Sequence, residues 1–78
     1  MSKETELELA ERHVREGEAN VAGQRGVVSL LNSVGQSTGR AERLLFSFEL
    51  KLAASRDHLI RLRAADVSNR SRIDKTYD

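Results

Sequence analysis

Small or apolar residues recur along the first half of the chain at Leu7, Ala10, Val14, Gly17, Val21, Val28 and Leu31, with Gln24 completing the series. The intervals alternate between three and four, the a/d spacing of a helix that buries one stripe against another helix. The second half repeats the pattern with Ala41, Leu45, Phe48, Leu52, Ser55, Leu59 and Leu62. No segment shows the period of two that a half-buried strand needs. The pattern therefore predicts a helix over about 4–32, a turn over about 33–38 and a second helix over about 39–68. Residues 69–78 form a polar C-terminal tail that is expected to fray. The fold class is all-α, an antiparallel two-helix hairpin with coiled-coil-like packing, in one domain over 1–68.

The punctuation between the two periodic segments is Gly35-Gln36-Ser37-Thr38-Gly39. Glycine there allows a positive φ, and the hydroxyls favour turns and N-caps. Thr38 is the expected N-cap of the second helix, with Glu42 in its first turn complementing the helix dipole. The chain has no proline, which suits long uninterrupted helices. Gly17, Gly23 and Gly26 each cost a helix about 0.8–1.0 kcal/mol relative to alanine. They imply either close approach of the two helices or a break near Gly23, and the unbroken heptad phase favours close approach.

Folding about Gly35-Gln36 sets the two seams against each other. Leu31 meets Ala41, Val28 meets Leu45, Gln24 meets Phe48 and Val21 meets Leu52. Gly17 then faces Ser55, Val14 faces Leu59 and Ala10 faces Leu62. The flanking charges agree, because the same fold brings together Glu11 and Arg63, Glu18 and Arg56, and Arg25 and Glu49, all opposite in sign. Exposed pairs contribute only about 0.2–1 kcal/mol each, so they select register more than they stabilise. Charge is segregated too: residues 1–18 hold six glutamates against Lys3, Arg12 and Arg15, while Arg56, Arg61, Arg63, Arg70 and Arg72 outnumber Asp57 and Asp66 on the return leg.

One stripe per helix does not use all the apolar residues. Phe46, Leu50, Ala53, Ile60, Ala64 and Val67 repeat at helical spacing on the side of the second helix away from the seam. Val27, Leu30, Val34 and Leu44 sit near the hairpin tip. Small chains commonly need disulfides, a metal or oligomerisation to stay folded. With 78 residues and no cysteine, disulfides and thiolate zinc sites are excluded. The leftover surface thus points to a homodimer, a four-helix bundle with an interface of Val27, Leu30, Leu44, Phe46, Leu50, Ala53, Ile60 and Val67. A helical protein partner is the alternative occupant.

Composition excludes more than it suggests. The net charge is +1, with 38% hydrophobic and 32% charged residues, so no bulk charge points to nucleic acid. There is neither an apolar run near the ~18 residues of a membrane span nor a signal-peptide pattern, and the expected setting is cytoplasmic with no membrane partner. No serine stands in a Gly-x-Ser-x-Gly setting, and a thin hairpin offers no enclosed cleft of the usual ~300–1,000 Å³. No catalytic residue and no cofactor are expected. His13 and His58 face each other across the hairpin and are the candidates for a metal-responsive dimer, although two ligands fall short of the three or four that zinc sites use. Arg61, Arg70 and Arg72 are the candidates for weak phosphate contacts, without the aromatic residues that make a base-stacking platform. A non-enzymatic interaction or regulatory module is the leading expectation.

As a string, Glu11-Arg12-His13-Val14-Arg15-Glu16-Gly17-Glu18, Gln24-Arg25, and Leu44-Leu45 with Phe48-Glu49 after a Gly/Thr turn resemble a group of short uncharacterised helical-hairpin proteins of alphaproteobacteria. The resemblance covers residues 11–62 and implies a bacterial origin and a helical hairpin. It carries no established activity, cofactor or substrate. Sequences of this group often carry Gly-His-Asp-Thr where this chain has Gly35-Gln36-Ser37-Thr38, and the missing His and Asp weaken a turn-based metal or catalytic role.

Overall fold

In the computed structural model, residues 3–75 are described, with side-chain surroundings for 3–67. Two helices pack against each other: α1 over Glu6–Ser33 and α2 over Gly39–Lys75. There is no strand among the described residues. No helix among them is long and apolar enough to cross a membrane.

Local signals in the sequence explain where α1 starts and stops. Thr5 is its N-cap, and its side chain accepts a hydrogen bond from the Glu8 backbone N–H while Glu8 accepts one from the Thr5 N–H, both at 3.0 Å. This reciprocal capping box satisfies two of the donors a helix start leaves orphaned. It moves the start slightly beyond the expected residue 4. At the other end Gly35 takes φ +74. The Gly35 N–H donates to the Asn32 carbonyl at 3.2 Å and the Gln36 N–H to Leu31 at 2.8 Å. That pair of bonds is a Schellman motif, which needs a left-handed residue that glycine adopts without a Cβ clash.

The Thr38 carbonyl accepts the Glu42 N–H at 2.8 Å, opening α2. The expected tail does not interrupt this helix, which continues through Ser68 to Lys75. Residues 69–75 contain neither proline nor glycine, so nothing in the backbone chemistry stops a helix already under way.

The core is the seam between the helices. Ala10, Val21, Ala41, Leu52 and Leu59 are buried, and the remaining seam positions of both helices are half-buried. Helix α1 passes through Gly17, Gly23 and Gly26 without a break. Close approach explains only the first of these. A Cβ at Gly17 would lie 3.1 Å from the Leu52 Cδ1 and 3.6 Å from its Cα, whereas a Cβ at Gly23 or Gly26 would meet nothing within 4 Å.

The layer at Gly17 corrects one expected pairing, since Leu52 rather than Ser55 packs on it. Gln24 likewise donates from Nε2 to the Ala41 carbonyl at 2.9 Å. Nevertheless all three expected ion pairs form: Arg25–Glu49 at 3.5 Å, Arg56–Glu18 at 3.2 Å and Arg63–Glu11 at 3.4 Å. Side-chain direction reconciles these facts. Each side chain leans toward the N-terminus of its own helix, so in an antiparallel pair long charged chains lean in opposite directions. Their tips meet from positions whose backbones are not level. Glycine has no side chain to lean and reports the backbone register directly.

Candidate interaction surface

The molecule is thin, with principal extents of 68 × 27 × 14 Å and a radius of gyration of 18.7 Å. A compact domain of this length has a radius near 11–12 Å. The accessible surface is 6402 Å², against about 4,700 Å² for a folded monomer of this mass.

Large apolar side chains are exposed where the leftover periodicity put them. Phe46 is 62% exposed, Leu50 57%, Ile60 63% and Val67 61%. Ala53 and Ala64, between them on the same stripe, are also exposed. At 3.6 residues per turn this stripe lies more than a quarter turn around α2 from the seam and faces away from α1, with Ala53 at its near edge also bordering the groove between the helices. A second patch at the tip comprises Val27, Leu30, Val34 and Leu44, all exposed. The small-residue surface of α1 at Ala19, Ala22, Gly23, Gly26 and Ser29 is exposed as well.

The stripe has one polar member. Asp57 lies on it and accepts an ion pair from the Arg61 guanidinium at 2.6 Å, one turn along α2. Arg61 is therefore paired, and Arg56 and Arg63 are held by Glu18 and Glu11. The side chains of Arg70 and Arg72 lie outside the described residues. Comparison with protein-family models, curated proteins and solved structures finds no match.

Two open hollows flank the seam, of about 370 and 380 Å³. They reach the volume of ligand clefts but are grooves between the helices, not enclosed pockets. The first runs between the Glu18–Arg56 and Arg25–Glu49 pairs over Val21, Ala22, Leu52 and Ala53. The second is lined by His13, Glu16, Asn20 and Lys51 around Gly17, and His58 does not border it. Both histidines are exposed. No group of three or more His, Cys, Asp or Glu side chains suited to a metal occurs among the described residues.

The sequence showed the acidic start of α1 but not the capping box of Thr5 and Glu8 or the partners of Arg12. Arg12 donates to Glu4 at 3.0 Å and to Glu16 at 2.7 Å. The hydrogen bond from Arg12 holds the Glu4 carboxyl below its usual range, and the Arg12 guanidinium is shifted upward by Glu4 and Glu16 in turn. The Glu8 carboxyl is lowered by the Thr5 backbone N–H that it accepts and by the Thr5 side chain. The Thr5-x-x-Glu8 spacing is a readable capping signature, and Arg12-x-x-x-Glu16 a readable i,i+4 pair. The Glu4–Arg12 bridge spans two turns and has no such simple signature.

Proposed function

We propose that this chain is a non-enzymatic helical interaction module that works by self-association, two hairpins forming a homodimer of four helices, with the cytoplasm as its setting. The observation that carries this reading is the run of Phe46, Leu50, Ile60 and Val67, all more than half exposed on one side of α2. The seam has already satisfied the other side. Monomeric proteins scatter single apolar residues over their surfaces, but a contiguous stripe marks an interaction site.

Size supports the same reading. The surface exceeds that of a compact monomer by more than the ~800 Å² per partner that a standard interface buries. Nucleic-acid binding gains little support, because Arg56, Arg61 and Arg63 are each committed to an acidic partner within the hairpin. The test is replacement of Leu50 and Ile60 by serine, followed by light scattering across a column. The reading predicts that the variant elutes at half the wild-type mass with its helical circular dichroism retained. An unchanged mass would remove this face from the account.

A further inference from the structure

We infer that the outer stripe of α2 docks on the same stripe of a second copy in the antiparallel sense, so that four helices lie in a row, α1–α2–α2–α1. This rests on the self-association reading and adds its geometry. Because the stripe lies on the side of α2 away from α1, pairing through it extends the layer. It does not close the four helices into a square bundle.

The stripe is a second a/d seam. Phe46, Leu50, Ala53, Ile60, Ala64 and Val67, with Asp57 completing the series, alternate intervals of four and three. Six of its seven positions are apolar, and all are exposed in the single hairpin. A helix that carries two such seams on opposite sides is built to be packed from both.

Charge decides the orientation. In a parallel pair each residue meets its own copy, which sets Asp57 against Asp57 inside the apolar stripe. Parallel packing also brings Arg56 beside the second copy's Arg61 on both flanks. Like charges in such positions oppose association. In an antiparallel pair the Asp57–Asp57 and Arg56–Arg61 encounters disappear, and one Arg56–Arg56 approach remains at the two-fold axis, where each guanidinium is held by its own Glu18 at 3.2 Å. The hairpin itself shows how its antiparallel layers form, with Leu52, an a position, seated on Gly17, a d position. The same packing on the outer stripe sets Phe46 against the second copy's Ala64, Leu50 against its Ile60 and Asp57 against its Ala53. The bulkiest residue meets a small one. Glu49, which pairs with Arg25 in its own hairpin, then flanks the second copy's Arg63, which pairs with its own Glu11, so the hairpin's ion pairs join across the interface with opposite signs adjacent. Each Asp57 keeps its own Arg61 at 2.6 Å. The two-fold axis falls between Ala53 and Asp57.

The absence of cysteine makes single-thiol cross-linking a clean test on the full chain. Ala53→Cys, Val67→Cys and a mixture of Phe46→Cys with Ala64→Cys chains are treated with a short bismaleimide, alongside the sedimentation mass of the unmodified protein. In the antiparallel pair the two copies of residue 53 lie about 6 Å apart along the axis, and those of residue 67 about 36 Å apart, at ~1.5 Å per residue. Ala53→Cys should therefore link at least tenfold more than Val67→Cys, and the mixture should link more than either of its components alone. Equal linking of the Ala53→Cys and Val67→Cys variants means a parallel dimer and overturns the inference. A dimeric mass with no linking at Ala53→Cys overturns the stripe as the interface while leaving self-association in place. A monomeric mass removes the self-association reading, and this inference with it.

Discussion

The Cδ1 of Leu52 lies 3.1 Å from where a Cβ on Gly17 would be, and no other glycine of α1 is in such contact. Alanine substitution should separate the three. At Gly23 and Gly26 an added methyl enters open space and removes the helix cost of glycine, about 0.8–1.0 kcal/mol per site. Each should raise the thermal midpoint by several degrees, at about 4–8 °C per kcal/mol for a domain of this size. Gly17→Ala should gain less than either, since Leu52 must give by a few tenths of an ångström. Gly17→Leu should destabilise by about 1–3 kcal/mol through overpacking. Thermal melts followed by circular dichroism read all four, and a Gly17→Ala gain equal to that at Gly23 would refute the contact.

The three cross-helix ion pairs are exposed, with side chains 37–65% accessible. A double-mutant cycle on Glu18→Ala and Arg56→Ala should return a coupling of about 0.2–1 kcal/mol, falling toward zero in molar salt. Charge exchange, Glu18→Arg with Arg56→Glu, should recover most of the loss caused by Glu18→Arg alone. A coupling that ignores salt would mean the pair acts through packing.

Acid should loosen the start of α1. The Glu8 carboxyl is held below its ordinary value of 4.5 by the Thr5 N–H and hydroxyl. A lowered folded-state pKa stabilises above the unfolded value and is lost as pH falls through the folded one. Wild type should thus lose stability on acidification below about pH 4.5 in part through Glu8. Glu8→Gln keeps the capping-box geometry and should flatten that acid limb, whereas Thr5→Ala should cost about 1 kcal/mol already at neutral pH. Parallel acid limbs in wild type and Glu8→Gln would contradict the assignment.

How much of this was legible before the structure depends on which physics was local. The seam was legible because burial repeats with the helical period, and its positions from Leu7 to Leu62 are all buried or half-buried. The turn was legible because glycine takes the positive φ of Gly35 without a Cβ penalty. The ion pairs Glu11–Arg63, Glu18–Arg56 and Arg25–Glu49 were legible from charge alone. The partner of Gly17 was not, because side-chain lean separates where charged tips meet from where backbones are level. The end of α2 was misplaced for the opposite reason: polarity suggested a tail at Asn69, but polarity by itself does not break a helix. The candidate surface was visible as leftover periodicity from Phe46 to Val67. Its occupant was less legible, because periodicity marks a face for packing while orientation depends on how flanking charges meet across two chains.

Self-association requires that another copy of the chain cover this exposed stripe. The most direct test is the solution mass of the unmodified protein at micromolar concentration, by sedimentation equilibrium. A homodimer should show twice the 8.7 kDa of one chain, and a mass of 8.7 kDa would contradict self-association.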